Sequence, residues 1–323
     1  MPLSSSCRPT SLALAGIVTV LAAALAPAPA AARNCGGATP CDCGDTVTTE
    51  ATLTRDLGPC TGNGLYVKSG VVLDCAGHSV NGSDLRGAWY GISLDLATAG
   101  TVRNCRVTAF RRGIRIRGGS GNIVENNEVV LNKYGIDVAS AAKASRITGN
   151  LIHDHRDEGI HIGTDADGTV VLDNQIWNTK REHIYVLDAD DCRIESNLLH
   201  ASRKAAIYVK NSHRTQVTAN VVSDRAIQVR GNSTGNVFTD NDLTGNGYIV
   251  DAQLQPDGTW LHPHDNTFAG GSIQNTGYCF RFYGSYDNTA TAIATDGECI
   301  PITELARGGV VPHGNTVEVV PLP

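Results

Sequence analysis

Residues 159–162 read Gly-Ile-His-Ile, and this pattern recurs through the middle of the chain. It begins at Gly91, Gly113, Gly135, Gly159, His183, Ala206 and Ala226, in steps of 22, 22, 24, 24, 23 and 20 residues. A column of asparagines runs in phase with it, each three residues after an apolar residue: Asn127, Asn150, Asn174, Asn197, Asn220 and Asn241. Fixed periods of this size indicate a solenoid, in which each repeat buries its apolar side against its neighbours.

Each repeat is built from short β-strands. Apolar residues alternate with polar ones over a few positions, and Gly, Asn, Asp and Ser mark the turns. The sequence therefore predicts an all-β fold, a single-stranded right-handed parallel β-helix of about eight to ten coils. Its core should contain the inward residues of successive coils: Ile160, Ile162, Ile184, Val186, Ile207 and Val209. Because stacked coils lie about 4.8 Å apart, the asparagines can pass hydrogen bonds along the stack.

The chain divides into a leader, a cap, regular coils and an irregular end. Residues 1–32 combine Arg8, an apolar run and Ala30-Ala31-Ala32, which is typical of a signal peptide. Residues 33–63 should form an N-terminal cap, 64–250 the regular coils, and 251–323 irregular C-terminal coils and a cap. The stretches 82–90 and 251–265 are extra length within coils. The apolar run of the signal peptide is too short for a membrane span, and no second stretch reaches spanning length. Together with the signal peptide, this predicts a secreted or periplasmic location.

The cysteines fit an oxidising compartment. Cys75 and Cys105 occupy the asparagine position of their coils and predict a small buried pair or an inter-coil disulfide. Four more cluster in the cap, and Cys279 and Cys299 should pair near the C-terminus. After removal of the signal peptide an odd number remains, and Cys192, at a turn, is the expected free thiol.

One outward face carries an unusual set of side chains. The first Ile and the fourth residue of each segment point inward, so the third residue and the residue two positions later point outward. The third residues, which we call the central column, are Ser93, Arg115, Asp137, His161, Tyr185, Tyr208 and Gln228. The outer column, two residues later, is Asp95, Arg117, Ala139, Gly163, Leu187, Lys210 and Arg230. His183 is also expected to point outward.

The charge of this face predicts the kind of partner. Basic residues gather on it although the whole chain has a formal net charge of −6. A local basic stripe on an acidic protein suggests an anionic ligand and does not suggest nucleic acid. The alternative is an ordinary solvated face, because a fold does not by itself imply a function.

Over residues 42–250 the chain resembles the pectate-lyase-like superfamily of secreted right-handed β-helix proteins. The resemblance rests on Gly44-Asp-Thr-Val, Val72-Leu-Asp-Cys-Ala-Gly-His78 and the Gly-Ile and Asn columns. It is closest to the NosD-like or carbohydrate-binding and sugar-hydrolase (CASH) repeats. Superfamily members are lyases, epimerases, hydrolases and proteins without known catalysis. Tyr134-Gly-Ile-Asp137 is similar to the Tyr-Gly-Phe-Asp-Pro-His motif of mannuronan C5-epimerases, and implies a catalytic tyrosine and aspartate there. Val138 and Ala139 stand where that motif has Pro and His.

The predicted function is a polysaccharide lyase or C5-epimerase that removes the C5 proton of a uronate. This step needs a base, a cation facing the carboxylate and an acid near the leaving oxygen. The predicted catalytic residues are His161, Tyr185, Tyr208, Lys210 and Asp137. The predicted substrate-binding residues are Arg115, Arg117, Tyr134, His183 and Arg230. The neighbouring cations are expected to lower a tyrosine pKa.

Two alternatives belong to other classes. A glycoside hydrolase would use paired carboxylates, such as Asp137 with Glu158 or Glu182. A non-catalytic glycan-binding or envelope-associated β-helix would use the same face for binding alone.

The proposed chemistry requires no cofactor, but two adjacent turns are rich in aspartate. Thr164-Asp-Ala-Asp-Gly168 and Leu187-Asp-Ala-Asp-Asp191 place Asp165, Asp167, Asp188 and Asp190 on successive coils. Hard oxygen ligands of this kind suit Ca²⁺. The alternative is that these aspartates cap their turns. The sequence predicts no oligomeric state.

Overall fold

Three ladders of parallel strands form the fold. The computed structural model describes residues 33–87, 89–274 and 276–322. The predicted signal peptide lies outside the described residues. The first sheet has 13 strands, one from each successive coil. They are β1 (Asn34–Cys35), β2 (Thr46–Val47), β5 (Leu65–Val67), β8 (Tyr90–Asp95), β11 (Arg112–Arg117), β14 (Tyr134–Ala139), β17 (Ile160–Ile162), β20 (Ile184–Leu187), β23 (Ile207–Lys210), β26 (Ile227–Arg230), β29 (Tyr248–Asp251), β34 (Tyr278–Tyr283) and β36 (Ile300–Leu305).

The other two ladders join at β35 into a 22-stranded sheet. The second ladder contains β3 (Ala51–Thr52), β6 (Val72–Asp74), β9 (Thr101–Arg103), β12 (Ile123–Glu125), β15 (Arg146–Thr148), β18 (Val170–Leu172), β21 (Arg193–Glu195), β24 (Gln216–Thr218), β27 (Val237–Thr239), β32 (Thr267–Ala269), β35 (Thr289–Thr295) and β37 (Thr316–Pro321). The third contains β4 (Leu57–Cys60), β7 (Ser79–Gly82), β10 (Arg106–Thr108), β13 (Glu128–Val130), β16 (Leu151–His153), β19 (Gln175–Trp177), β22 (Leu198–His200), β25 (Val221–Ser223), β28 (Asp242–Thr244) and β33 (Ser272–Gln274). A small antiparallel hairpin, β30 (Gln253–Leu254) with β31 (Trp260–Leu261), lies in the predicted second insertion.

The fold is a right-handed parallel β-helix, which confirms the predicted fold class. It has about 12 turns, more than the sequence predicts. The expectation of eight to ten coils is too low because it counted the segments with a regular repeat. Strands before residue 64 and after residue 250 also pair in parallel with their neighbours. Among the described residues no helix is long and apolar enough to cross a bilayer.

The core consists of the inward residues of stacked coils. Ile160, Ile162, Ile184, Val186, Ile207 and Val209 are all fully buried, which confirms the predicted alternation. β17 pairs with β20 so that Ile160 lies beside Ile184, and β20 with β23 so that Ile184 lies beside Ile207. Each side chain therefore packs on its equivalent in the next coil, and burial of this kind supplies most of the stabilisation.

The asparagine column is a continuous buried ladder. Asn127, Asn150, Asn174, Asn197, Asn220 and Asn241 are each at most 1% exposed. From Asn150 onward, the Oδ1 of each accepts the backbone N–H and the side-chain N–H of the preceding asparagine at 2.9–3.1 Å. The amide of Asn174 also donates to the carbonyls of Ile147 and Leu172 at 3.0 Å. The ladder therefore satisfies backbone groups that the bend removes from the strand pairing.

The cysteines follow the predicted arrangement. Disulfides join Cys35 to Cys41, Cys43 to Cys60, Cys75 to Cys105 and Cys279 to Cys299. The Cys75–Cys105 bridge confirms the inter-coil disulfide and lies at the start of the asparagine ladder, where the Cys105 N–H donates to Asn127 Oδ1. Cys192 is free and buried, and burial raises the pKa of its thiol to about 12. Four disulfides are typical of extracellular or periplasmic proteins.

A buried histidine interrupts a second polar ladder. The side chain of Asn132 accepts the Phe110 N–H, and one coil later His155 Nδ1 accepts the Asn132 N–H at 3.2 Å. His155 is 1% exposed. Burial lowers its pKa to about 4, so the imidazole is neutral in the folded protein at neutral pH.

We expect Asn174→Leu to destabilise the protein by about 3 kcal/mol or more. The change leaves the N–H groups of Asn150 without their acceptor and the Ile147 carbonyl without its donor, and each buried unsatisfied group costs roughly 1–3 kcal/mol. Chemical denaturation measures the loss. Asn232→Ala, at an exposed asparagine, is the control and should change stability little. Equal stability of the two variants would contradict a structural role for the ladder.

We expect acid to destabilise the protein partly through His155. Its pKa is about 4 in the folded chain and near 6.5 in the unfolded chain, so the unfolded state takes up the proton first as the pH falls. The contribution is complete above about pH 6.5, and about 3 kcal/mol is lost between that pH and pH 4. His155→Asn, which copies the Asn132 position of the preceding coil, should flatten the dependence of melting temperature on pH. An unchanged slope would contradict this assignment.

Candidate functional site

A bend in each coil decides which residues reach the outward face of the first sheet. A Cβ placed on Gly159 would lie 2.8 Å from Cγ2 of buried Ile176 and 3.4 Å from Cγ2 of buried Thr179. The first residue of the repeat segment therefore points into the core. His183 has this position one coil later. It is fully buried, and its Nδ1 lies 2.9 Å from Thr179 Oγ1.

The prediction that His183 points outward and binds substrate is therefore wrong. Strict strand alternation assumed a straight strand, whereas the bend turns His183 inward. Burial lowers its pKa to about 3, as expected for an imidazole with no access to solvent. The residue before the segment points outward instead. We call these residues, Tyr90, Arg112, Tyr134, Glu158 and Glu182, the leading column. The leading, central and outer columns together form the groove face.

The pairing of the strands fixes the order of side chains along the groove face. In the central column Asp137 lies beside His161, His161 beside Tyr185, and Tyr185 beside Tyr208. In the outer column Lys210 lies beside Arg230. The structure thus places His161, both tyrosines and Lys210 on three consecutive turns, with Tyr208 and Lys210 on the same strand.

An aspartate holds the His161 imidazole in one orientation. His161 Nδ1 lies 2.8 Å from Asp137 Oδ1, and Arg112 Nε lies 2.6 Å from Asp137 Oδ2. Asp137 is only 3% exposed. Burial acts to raise its pKa, but the hydrogen bond from His161 and the charge of Arg112 outweigh it and hold the pKa below its usual value. An ionised Asp137 accepts the Nδ1 proton, so Nε2 carries the free lone pair.

A glycine provides the space for this imidazole. A Cβ on Gly163 would lie 3.0 Å from His161 Cε1 and 3.5 Å from Nε2, so the ring lies over the glycine. Ala139 and Gly163 are the two small residues of the outer column, and they lie between Arg117 and Leu187. The absence of larger side chains leaves His161 partly exposed on the groove face.

Two stacked tyrosines follow His161. The rings of Tyr185 and Tyr208 are 5.1 Å apart and nearly parallel, and the Tyr185 ring centroid is 5.5 Å from that of His161. Burial raises the pKa of both phenols. For Tyr208, interaction with Arg230 acts in the opposite direction but does not reverse the shift. The expectation that cations lower a tyrosine pKa is therefore wrong, because loss of hydration dominates. Both phenols are held in the protonated form.

A concave site surrounds the tyrosine pair. It has a volume of about 460 Å³ and includes Arg181, Lys204, Lys210 and Arg230 in its lining. Arg230 lies 3.6 Å from Asp251, which also pairs with Arg307. Neither Lys204 nor Lys210 forms an ion pair with any carboxylate among residues 33–87, 89–274 and 276–322. The two lysines are thus the cations of the cavity that remain available for an anion.

Glu158 and Glu182 form a buried acidic pair, and Glu182 is part of the cavity lining. They are 3% and 4% exposed, and Arg181 lies 2.9 Å from Glu158 and 3.4 Å from Glu182. Burial raises the pKa of Glu158. One carboxylate oxygen of each has no hydrogen-bond partner. The single charge of Arg181 is therefore shared between both glutamates and does not neutralise the pair.

The N-terminal end of the groove face is occupied by internal pairs. The Arg115 guanidinium lies 4.5 Å from the centre of the Tyr90 ring, and Arg112 lies 5.2 Å from that of Tyr134. Arg115 is 3.9 Å from Asp137. Of the predicted binding residues in this region, Arg117 alone is exposed. Arg115 and Tyr134 are held against their neighbours.

Two of the four predicted calcium ligands, Asp167 and Asp190, have other partners. Asp167 accepts the Asp190 N–H and pairs with Lys143 at 3.3 Å. Asp190 accepts the His213 N–H and pairs with Arg214 at 3.2 Å. Asp165 and Asp188 both have left-handed φ values, of 60° and 51°, and lie in turns. No cluster of three or more His, Cys, Asp or Glu within the described ranges could hold a metal ion. These observations support turn capping.

Sequence reasoning named Tyr134, Glu158 and Glu182 one by one, but it missed the column that they form and the residues next to it. Arg112 pairs with Asp137, and Arg181 pairs with Glu158 and Glu182. Lys204 lines the cavity without an acidic partner among the described residues. The signal was present, because the residue before each segment reads Tyr, Arg, Tyr, Glu and Glu in succession. It was overlooked because the bend could not be read from alternation alone.

The fold and the face define a right-handed β-helix protein with a polar, partly cationic groove. Residues 34–176 match the family model described as right handed beta helix region. Residues 164–278 match the model described as periplasmic copper-binding protein (NosD). No curated protein matches the sequence.

Solved structures share the fold at low sequence identity. The Dettilon tailspike protein has a TM-score of 0.65 and 11% identity over 83% of this chain and 59% of its own. A variant of the periplasmic alginate epimerase AlgG has a TM-score of 0.59 and 14% identity, covering 85% and 73%. The A-module of a mannuronan C-5 epimerase from Azotobacter vinelandii has a TM-score of 0.56 and 12% identity, covering 85% and 89%. The chain thus spans less than two thirds of the tailspike, and these likenesses establish the architecture alone.

We expect Gly163→Val to displace the His161 imidazole while leaving the fold intact. The new Cβ would lie 3.0 Å from His161 Cε1, which is too close for the ring to stay in place. The ring must therefore move, and its Nδ1 hydrogen bond to Asp137 must weaken. Imidazole nitrogen NMR signals measure the tautomer and this bond. Gly62→Val is the control, because a Cβ at Gly62 meets no atom within 4 Å. Unchanged His161 signals in Gly163→Val would contradict the role of this glycine.

Proposed function

We propose that the protein is a secreted or periplasmic enzyme that removes the C5 proton of a uronate in an anionic polysaccharide. The observation that carries the proposal is the oriented His161 imidazole next to two protonated tyrosines and two free lysines. Base, acid and carboxylate-binding cations thus occupy consecutive coils, about 4.8 Å apart. The likeness in fold to an alginate epimerase and a mannuronan epimerase agrees with this class of substrate.

His161 is the proposed base. Its Nε2 lone pair is free because Nδ1–H donates to ionised Asp137. Asp137 also stabilises the imidazolium that forms when Nε2 takes the C5 proton. Arg112 holds Asp137 from the opposite side, so Asp137 acts through the histidine as a positioning residue.

Lys204 and Lys210 are the proposed carboxylate-binding cations. Loss of the C5 proton places negative charge on the uronate carboxylate, and a neighbouring cation stabilises that charge more than it stabilises the ground state. The paired arginines Arg230 and Arg115 have less charge available, because Asp251 and Asp137 already lie beside them.

Tyr185 is the proposed acid. A phenol whose pKa is raised by burial retains its proton and can donate it. Tyr185 is on the coil next to His161, whereas Tyr208 interacts with Arg230. Donation to the leaving O4 gives elimination and an unsaturated product. Donation to C5 from the other side of the ring gives the epimer. Both outcomes share the first step.

A glycoside hydrolase is a second candidate, favoured by Glu158 and Glu182. Glu158 has a raised pKa, as a general acid requires, and Glu182 is on the next coil. Arg181 lies against both carboxylates, which supports a structural pair more than an acid with a separate nucleophile. New reducing ends without unsaturated product would favour the hydrolase. Binding without any turnover would favour the non-catalytic glycan-binding β-helix.

We expect His161→Ala and Tyr185→Phe each to lower turnover by roughly 10²–10⁴-fold, because each removes one proton-transfer group. Polyuronates are incubated with the protein in D₂O. Ultraviolet absorbance reports elimination, and deuterium at C5 reports epimerisation. Tyr208→Phe should have a smaller effect. His200→Ala, on the third ladder, is the matched control and should retain activity. Full activity in both His161→Ala and Tyr185→Phe would overturn the proposal.

A further inference from the structure

The groove face continues into the C-terminal coils. β29 pairs with β34 so that Ile249 lies beside Arg281 and Asp251 beside Tyr283. Since Gln228 lies beside Ile249, Arg281 extends the central column of His161, Tyr185 and Tyr208. The sequence pattern did not reveal this, because the repeat is lost after residue 250.

Arg281 is a fixed cation without an acidic partner. Its guanidinium lies 3.5 Å from the centre of the Tyr278 ring. Tyr278 is 8% exposed, and its hydroxyl donates to Asn246 Oδ1 at 3.1 Å. Nothing comparable neutralises Arg281, which forms no ion pair with the described residues. By contrast, Arg307 on the same side pairs with Asp251 and lies over the Tyr283 ring.

We propose that Arg281 on Tyr278 is a second carboxylate-binding subsite for the polysaccharide, remote from the reacting sugar. A guanidinium stacked on an aromatic ring keeps its edge N–H groups free to bind a carboxylate in bidentate fashion. Stacking also reduces the entropy lost on binding, because the side chain is already ordered. The inference rests on the proposed function, since it takes the ligand to be the same polyuronate.

The spacing sets what the subsite can do. Arg281 is three strands from Tyr208 and five from His161, or about 14 Å and 24 Å along the stack. A short uronate oligomer bound at Lys204 and Lys210 cannot reach it, whereas a longer chain along the groove face can. The subsite therefore selects for polymer length and favours residues inside a chain over those at its end.

The test compares binding of uronate oligomers of increasing length by calorimetry. In Arg281→Gln, we expect long oligomers to bind roughly threefold to tenfold more weakly and short ones to bind as in the unaltered protein. The difference should shrink at high salt. Arg281→Lys keeps the charge but loses the planar stack, and should have an intermediate effect. Arg146→Gln, at an exposed unpaired arginine on β15, is the control. Melting temperatures verify that each variant is folded.

The outcomes separate this inference from the proposed function. If Lys210→Gln weakens all oligomers while Arg281→Gln changes none, the subsite is wrong and the proposed function stands. If Arg281→Gln weakens short and long oligomers equally, the subsite is not remote and the inference also fails. If the unaltered protein binds no polyuronate of any length, both the subsite and the proposed function are wrong.

Discussion

The in-register stacking of coils is the constraint on which this structure depends. Parallel pairing places each residue beside its equivalent in the next coil, so a side chain that suits one coil must suit its neighbours. The asparagine ladder meets this constraint at a bend, since an amide such as that of Asn174 accepts from the preceding coil and donates to the next. The same register turns the outward residues into columns. A catalytic set on this fold is therefore assembled from equivalent positions of successive repeats, without any loop that must fold over it.

Features that repeat could be predicted from the sequence, and features that depend on one coil could not. The fold, the buried Ile and Val positions, the asparagine ladder and the Cys75–Cys105 bridge all follow from period and phase. The burial of His183 could not be predicted in this way, because only the backbone bend shows that its side chain points inward. The link between Asp137 and His161 was also missing, since their column placed them on adjacent coils but said nothing of the direction in which the imidazole turns. That direction depends on the glycine at 163.

Charge on the groove face shows why residue type alone is a weak guide to binding. The sequence presents a row of arginines, yet most of them serve carboxylates of the protein itself. Arg112 serves Asp137, Arg181 serves Glu158 and Glu182, and Arg230 shares Asp251 with Arg307. Such pairs order the surface but offer little charge to a ligand. Lys204, Lys210 and Arg281 are cations without an acidic partner, and an anionic chain can engage them. Only the structure separates these two groups.

Burial assigns opposite roles to groups that the sequence treats alike. His161 and Tyr185 are both candidates for proton transfer, and the sequence alone allows either to be the base or the acid. Loss of hydration raises the tyrosine pKa and makes the phenolate costly, so the phenol suits donation. The imidazole has an ionised aspartate on one nitrogen and an open groove on the other, which suits acceptance. The two groups lie on neighbouring coils, so a sugar ring between them would meet a base and an acid at about one coil spacing. The direction of proton flow thus follows from burial and from one hydrogen bond, and it does not require the cations to activate a tyrosine.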